Sequence, residues 1–418
     1  MDKISVNKNS ILFILLAFLT GLFFLQPSCS KQNISDLPYV VMLSLDGFRW
    51  DYADKVSTPN LDYIAKNGVK ASSMQPSFPS KTFPNHYTIV TGLYPDHHGI
   101  VNNSFYDPKM EKYFRISDRT SVENGDFWGG EPIWVTAEKQ GVKSASYFWV
   151  GSEAPIKGIY PSIWKKYDHH FPFESRIDSV ISWLQLSEQK RPHLITWYIH
   201  QPDSWGHSLG PESEEIKSKI IYLDSLVGIF INKLEKIDIA DKINIIVTSD
   251  HGMGTISKNR VIYPDDYIKQ EWLDKYAGNN PFFMFQPKEG YLDSVLFALK
   301  KAEHLQVWRK SQVPKRLHYG TNPRIMEIVA VADSGWSIEY RAVVEQDKNF
   351  NGTHGYDSEN RDMHAIFYAY GPAFKKRYIH PTFENIHIYP LIAHILKLDP
   401  VDTDGNMNYV KEMLKENR

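Results

Sequence analysis

Short runs of β-branched and aromatic residues recur along this chain, separated by stretches with helical spacing, and that alternation restricts the fold more than any other feature. Tyr39–Leu45 (YVVMLSL) and the runs at 143–149, 193–200 (HLITWYIH), 243–249 (INIIVTS) and 365–370 are apolar enough for strands buried on both faces. Between them, residues 59–66, 132–140, 173–186, 214–236 and 385–396 read as helices. Strands that alternate with helices are joined by crossovers, which gives an α/β fold with a mostly parallel central sheet and helices on both faces. The stretch from about 256 to 350 is richer in charge and aromatics and breaks the alternation, so an inserted cap or subdomain is expected there.

The charge balance excludes some functions. With 47 basic and 49 acidic side chains the net charge is −2, and 42% of residues are hydrophobic. Neither a general nucleic-acid binder nor a disordered chain fits those values, and no protein partner is implied. Ahead of the first strand, Lys3 and Lys8 precede a largely apolar run at 11–25. That run is shorter than the roughly 20 residues that span a bilayer, so residues 1–28 are expected to be a secretory signal. Cys29, the only cysteine, follows directly and resembles the lipid-acceptor cysteine of bacterial lipoproteins. The expectation is an exported protein, periplasmic or held at the membrane by a lipid anchor, with no intramolecular disulfide.

In open α/β sheets, ligands bind beyond the carboxyl ends of the strands. Three strand ends here carry metal-type ligands, in Asp46-Gly47-Phe48-Arg49, Pro202-Asp203-Ser204-Trp205-Gly206-His207 and Asp250-His251-Gly252, and a fourth cluster is Gly352-Thr353-His354-Gly355. Singly, such an Asp is more often a helix cap, and such a His a surface residue. Together they make three carboxylates and three imidazoles, a set suited to zinc and too large for one tetrahedral ion. The four-residue spacing of Asp203 and His207 puts both on one side of a helical turn. Thr82, in Lys81-Thr82-Phe83-Pro84-Asn85-His86-Tyr87, sits near the start of an expected helix, where free N–H groups and the helix dipole favour an anion. By itself Thr82 reads as a cap, and His86 carries no assignment.

Taken in order, these motifs resemble the signatures of the nucleotide pyrophosphatase/phosphodiesterase family of the alkaline phosphatase superfamily, over roughly residues 39–400. The resemblance implies an alkaline-phosphatase-like domain over 29–418. It implies two zinc ions, one held by Asp203, His207 and His354, the other by Asp46, Asp250 and His251, with Thr82 between them as the nucleophile. Asn103 resembles the family's asparagine that steadies a phosphate oxygen; its neighbour Asn102 is the position most easily confused with it. Phe83, directly after Thr82, would project beside the phosphate site, and Tyr167 resembles the aromatic that stacks a nucleobase, so that a base could lie between the two rings, although alone either reads as core. The implied reaction is zinc-dependent hydrolysis of nucleotide phosphodiester and pyrophosphate bonds through a phosphothreonine, releasing nucleoside 5′-monophosphates. Alternatives are cleavage of choline-containing glycerophosphodiesters or lysophospholipids, a phosphate monoesterase, for which no positioned arginine stands out, and an exported zinc-binding module without catalysis.

Overall fold

The computed structural model describes residues 37–416. The expected leader and Cys29 lie outside that range. Among the described residues no helix is long and apolar enough to cross a membrane.

The strands of the two larger sheets and of one two-stranded pair are β1 (Tyr39–Leu45), β2 (Val69–Ala71), β3 (Ser144–Tyr147), β4 (Ile163–Lys165), β5 (Leu194–Ile199), β6 (Ile243–Thr248), β7 (Gly254–Thr255), β8 (Leu273–Asn279), β9 (Phe282–Pro287), β10 (Leu305–Arg309), β11 (Ile328–Ala332), β12 (Gly352–Thr353), β13 (Phe367–Tyr370) and β14 (Tyr378–His380). Eight form one sheet in the order β14-β2-β13-β6-β1-β5-β3-β4. Its pairs are parallel except those of β13, which runs against both β6 and β2, so the sheet is mixed.

Every residue of β1, β5 and β6 is buried, which the continuous apolar runs demand. Alternate side chains serve opposite faces. Val40 and Met42 join the apolar cluster formed with helices α2 (Thr82–Thr91), α3 (Ile133–Lys139) and α7 (Ile388–Ile395). Val41, Leu43 and Leu45 join the cluster with α1 (Pro59–Asn67), α4 (Phe173–Leu184) and α6 (Glu214–Leu234). The start of α6 is fixed by Ser213, whose Oγ accepts the Ile216 N–H at 3.2 Å. The helix α5 (Asp203–Leu209) lies between β5 and α6 in sequence.

Between β7 and β12 the chain builds a second sheet, antiparallel, in the order β8-β9-β11-β10. Phe282, Met284, Val329 and Val331 turn into the main core, while Phe283, Phe285, Ile328 and Ala330 pack with Val295 and Leu299 in a cluster of their own.

Two buried histidines tie the fold to pH. His98 Nδ1 accepts the Ile100 N–H at 3.1 Å and its Nε2 lies 3.0 Å from Thr88 Oγ1; His387 Nδ1 accepts the Asn406 N–H at 3.0 Å. Both rings are therefore neutral, and burial pushes their pKa values down, to about 3 for His98 and about 4 for His387. Above the unfolded value near 6.5 neither folded nor unfolded chain binds these protons. Below it only the unfolded chain does, so stability falls with pH by up to about 1.4 kcal/mol per pH unit for each ring until the folded values are reached. Denaturant midpoints at pH 7, 6 and 5 should decline steadily; a midpoint constant across that window contradicts this account.

Candidate active site

Strands β1, β5 and β6 run parallel in a register that pairs Leu45 with Ile199 and Ser44 with Thr248, so their carboxyl ends finish side by side. The chain continues into Asp46, Asp203 and Asp250 at that edge. Gly47 adopts φ +70°, and a Cβ there would lie 2.9 Å from the Asp203 Cα, so only glycine lets the end of β1 pass against the start of α5. The Asp203 N–H donates to the Asp46 carbonyl at 2.9 Å across this contact. His354 arrives on the loop after β12, which pairs with β7 just beyond His251.

The six side chains form two groups, Asp203 with His207 and His354, and Asp46 with Asp250 and His251; within each, one ligand atom per residue lies within 4.8 Å of the others. The groups share a wall, since the rings of His251 and His354 stack with centroids 3.5 Å apart. Three observations make these groups fit metal ions. Asp46 Oδ1, Asp203 Oδ1 and Asp250 Oδ2 are buried without a hydrogen-bond partner. His207, His251 and His354 each place Nδ1 against a backbone carbonyl, of Gly352, Gly252 and Ser80, at 2.7, 2.7 and 2.9 Å. A carbonyl only accepts, so Nδ1 carries the proton and Nε2 keeps its lone pair for a cation. Lastly, burial and the neighbouring Asp250 and Asp203 push the Asp46 pKa well above the usual carboxylate range. A positive ion would relieve that repulsion.

Asp250 is held in the opposite direction. Burial works to raise its pKa, but His251 and His86 outweigh it and keep the carboxylate ionised. Its Oδ1 accepts the Gly47 N–H at 3.1 Å.

Thr82 opens α2, with Lys81 as the preceding cap residue. Its hydroxyl oxygen lies 3.2 Å from His251 Nε2, in contact with the second group. Asn103 Oδ1 accepts the Phe83 N–H at 2.9 Å, which leaves the amide nitrogen available as a donor beside the helix start. Asn102 is fully buried and its Oδ1 accepts the Asn103 N–H, so it supports the turn instead. A cavity of about 380 Å³ opens over Asp46, Thr82 and Asp203, and both Phe83 and Tyr167 line it, together with Trp149 and Tyr198. All ten side chains singled out in the sequence therefore lie in or beside this one region.

Several neighbours were not foreseen. Tyr198 donates to Asp46 Oδ2 at 2.5 Å. It sits within an apolar strand, where only its position near the carboxyl end gave a signal. His86, one turn past Thr82, is fully buried, with Nε2 2.8 Å from Ser44 Oγ and Nδ1 3.2 Å from Asp250 Oδ2. Lys81 is buried and donates to the Asn280 carbonyl at 2.6 Å, tying the head of α2 to the second sheet; burial lowers its pKa to about 7.

Residues 40–357 match the family model described as type I phosphodiesterase / nucleotide pyrophosphatase. The chain belongs to that family. It is 38% identical over 404 residues to the ectonucleotide pyrophosphatase/phosphodiesterase family member 3 of Rattus norvegicus, covering 93% of this chain and 45% of the relative. It is 37% identical over 411 residues to a venom phosphodiesterase of Naja atra, covering 94% and 49%. The chain thus spans about half the length of these sequence relatives. Among solved structures, murine ectonucleotide pyrophosphatase/phosphodiesterase 5 superposes with a TM-score of 0.86 at 37% identity, covering 90% of this chain and all of that one. An inactive threonine-to-alanine variant of the same murine protein, in complex with AMP, gives 0.86 at 36% identity over 91% of this chain and 100% of that one. Members of this family are metal-dependent, in keeping with the two ligand groups.

Proposed function

We propose that this phosphodiesterase hydrolyses nucleotide phosphodiester and pyrophosphate bonds, with two zinc ions, through a phosphothreonine at Thr82 that still carries the nucleoside, and releases nucleoside 5′-monophosphates when water cleaves it. The single observation that carries the reading is the buried Thr82 hydroxyl at a helix start, within 3.2 Å of His251 and at the floor of a cavity walled by aromatic rings. Zinc at the two groups would supply positive charge that lowers the hydroxyl pKa and neutralises charge gathering at phosphorus. Asp203, His207 and His354 would hold one ion, and Asp46, Asp250 and His251 the other.

Within that field the chain's own groups do the rest. The Thr82 oxygen forms a bond to phosphorus as the bond to the leaving oxygen breaks, and water later cleaves the threonine–phosphate bond and restores the hydroxyl. Asn103, its Oδ1 engaged by the Phe83 N–H, turns its NH₂ to a phosphate oxygen and stabilises charge there. Phe83 and Tyr167 take the nucleobase between them. AMP bound to the inactive murine variant supports the nucleotide as substrate class. The leader and Cys29 support export to the periplasm and lipid anchoring of the mature chain.

The deciding experiment compares kcat/KM on an aryl ester of thymidine monophosphate, a dinucleotide, an aryl phosphate monoester and glycerophosphocholine. The nucleotide substrates should lead; preference for the choline ester or the monoester overturns the assignment. Stacking on one aromatic is worth about 1–3 kcal/mol per base, so Phe83→Ala or Tyr167→Ala should raise KM for the thymidine ester about tenfold while kcat changes little. A fall in kcat alone would place these rings elsewhere in the reaction.

A further inference from the structure

Tyr167 does not stand alone in the cavity wall. Its hydroxyl lies 3.1 Å from His169 Nδ1, and the His169 ring stacks on His200 with centroids 3.9 Å apart and 27° between planes. His169 and His200 both line the cavity. His200 is 8% exposed at the end of β5, and its Nδ1 is buried without a hydrogen-bond partner, so what it offers the neighbouring ring is its flat face. The Phe173 ring lies tilted by 55° against His200, with centroids 5.2 Å apart.

The loop that carries these residues is held from beneath by Arg176 of α4. This arginine is fully buried, and its guanidinium donates only to backbone carbonyls, of Phe171 at 2.8 Å, Tyr198 at 3.1 Å and Asp168 at 3.4 Å. It also lies against the Phe148 and Phe173 rings. The backbone on either side of His169 is thereby fastened to the end of β5, so the partner that the Tyr167 hydroxyl reaches is itself held in place. Phe148 meets the Tyr167 ring edge to face at 5.3 Å and the Tyr198 ring lies tilted against it at 6.3 Å, while its hydroxyl end is met by His169.

We infer that His169, seated on His200, is a positioning residue that fixes the Tyr167 ring for a nucleobase and so sets affinity for nucleosidyl substrates. This rests on the reading of Tyr167 as a base-stacking residue. A planar partner gains from a ring already in place, because the ordering cost is met before binding. His169 itself is exposed, so its replacement leaves the core intact.

The test uses the full-length, metal-loaded enzyme and two substrates, an aryl ester of thymidine monophosphate and a diaryl phosphate that has no nucleoside. His169→Ala should raise KM for the nucleosidyl ester about fivefold, with kcat within about twofold, and the KM for the diaryl ester should not follow. Tyr167→Phe, which removes only the hydroxyl, should raise the same KM by a similar factor. The double variant should lose no more than either single one, since both break one contact. His200→Phe, which keeps a flat ring under His169, should bind the nucleosidyl ester better than His200→Ala. Equal losses on both substrates, or losses that multiply in the double variant, overturn the inference. The wild-type enzyme reports on the underlying reading separately: absence of any preference for the nucleosidyl ester removes the nucleotide assignment and this inference with it.

Discussion

Replacing Thr82 with alanine is expected to lower turnover by on the order of 10³-fold or more, while metal content and AMP binding persist. The hydroxyl is the proposed point of attachment for the nucleotidyl group, and its oxygen is within 3.2 Å of His251. Apart from that contact with His251 Nε2, the six grouped carboxylates and imidazoles are held without it. The three histidines keep their Nδ1 bonds to backbone carbonyls, and Asp46 keeps the Tyr198 hydroxyl. Asn103 likewise stays fixed by the Phe83 N–H. Losing the hydroxyl thus removes the nucleophile and leaves its surroundings assembled. Thr82→Ser, which retains an oxygen but frees its rotation, should recover part of the rate. Quenched reactions of the wild-type enzyme should trap the nucleoside monophosphate on Thr82, and the alanine variant none. Turnover that survives the substitution unchanged would move the nucleophile to a different group.

Much of this site is written near strand ends, and the reason is physical. A strand buried on both faces must be an unbroken apolar run, so its end is visible where polar residues begin, as at Asp46 after YVVMLSL and Asp250 after INIIVTS. Parallel register then brings separate ends to one edge without any further signal. The three-residue strands β2, β4 and β14 escape such reading because they are too short to show a period; β2 and β4 take their pairing from the four-residue strands beside them, and β14 from β2. The second sheet escapes for another reason. Strand β8 mixes exposed and buried residues in the sequence LDKYAGN, with a shift in register between Leu273 and Lys275, so its alternation is broken. The cavity wall is hardest of all. Arg119, Glu153 and His169 come from separate segments and look individually like surface residues, and His200 reads only as the end of a buried strand; the tertiary fold alone assembles them around one volume.

Stripping the metal should abolish activity and soften the fold together, because the same three aspartates serve both. Asp46, Asp203 and Asp250 each hold one oxygen buried without a hydrogen-bond partner, and Asp46 is already forced toward its protonated form by burial and by the other two. Cations that bind only the folded chain add RT ln(1 + [L]/Kd), about 4 kcal/mol per site at a thousandfold excess over Kd. Chelation should therefore lower the thermal midpoint by several degrees, and zinc should restore both midpoint and turnover. The two groups make the count testable. Elemental analysis should find two equivalents per chain in the wild-type protein, and about one fewer in either Asp203→Ala or Asp250→Ala. Because His251 and His354 stack at 3.5 Å, the remaining site in each variant should bind more weakly than in the intact pair. A single equivalent in the wild-type chain, or a midpoint indifferent to chelation, would mean that one of the carboxylate–imidazole groups is not a metal site.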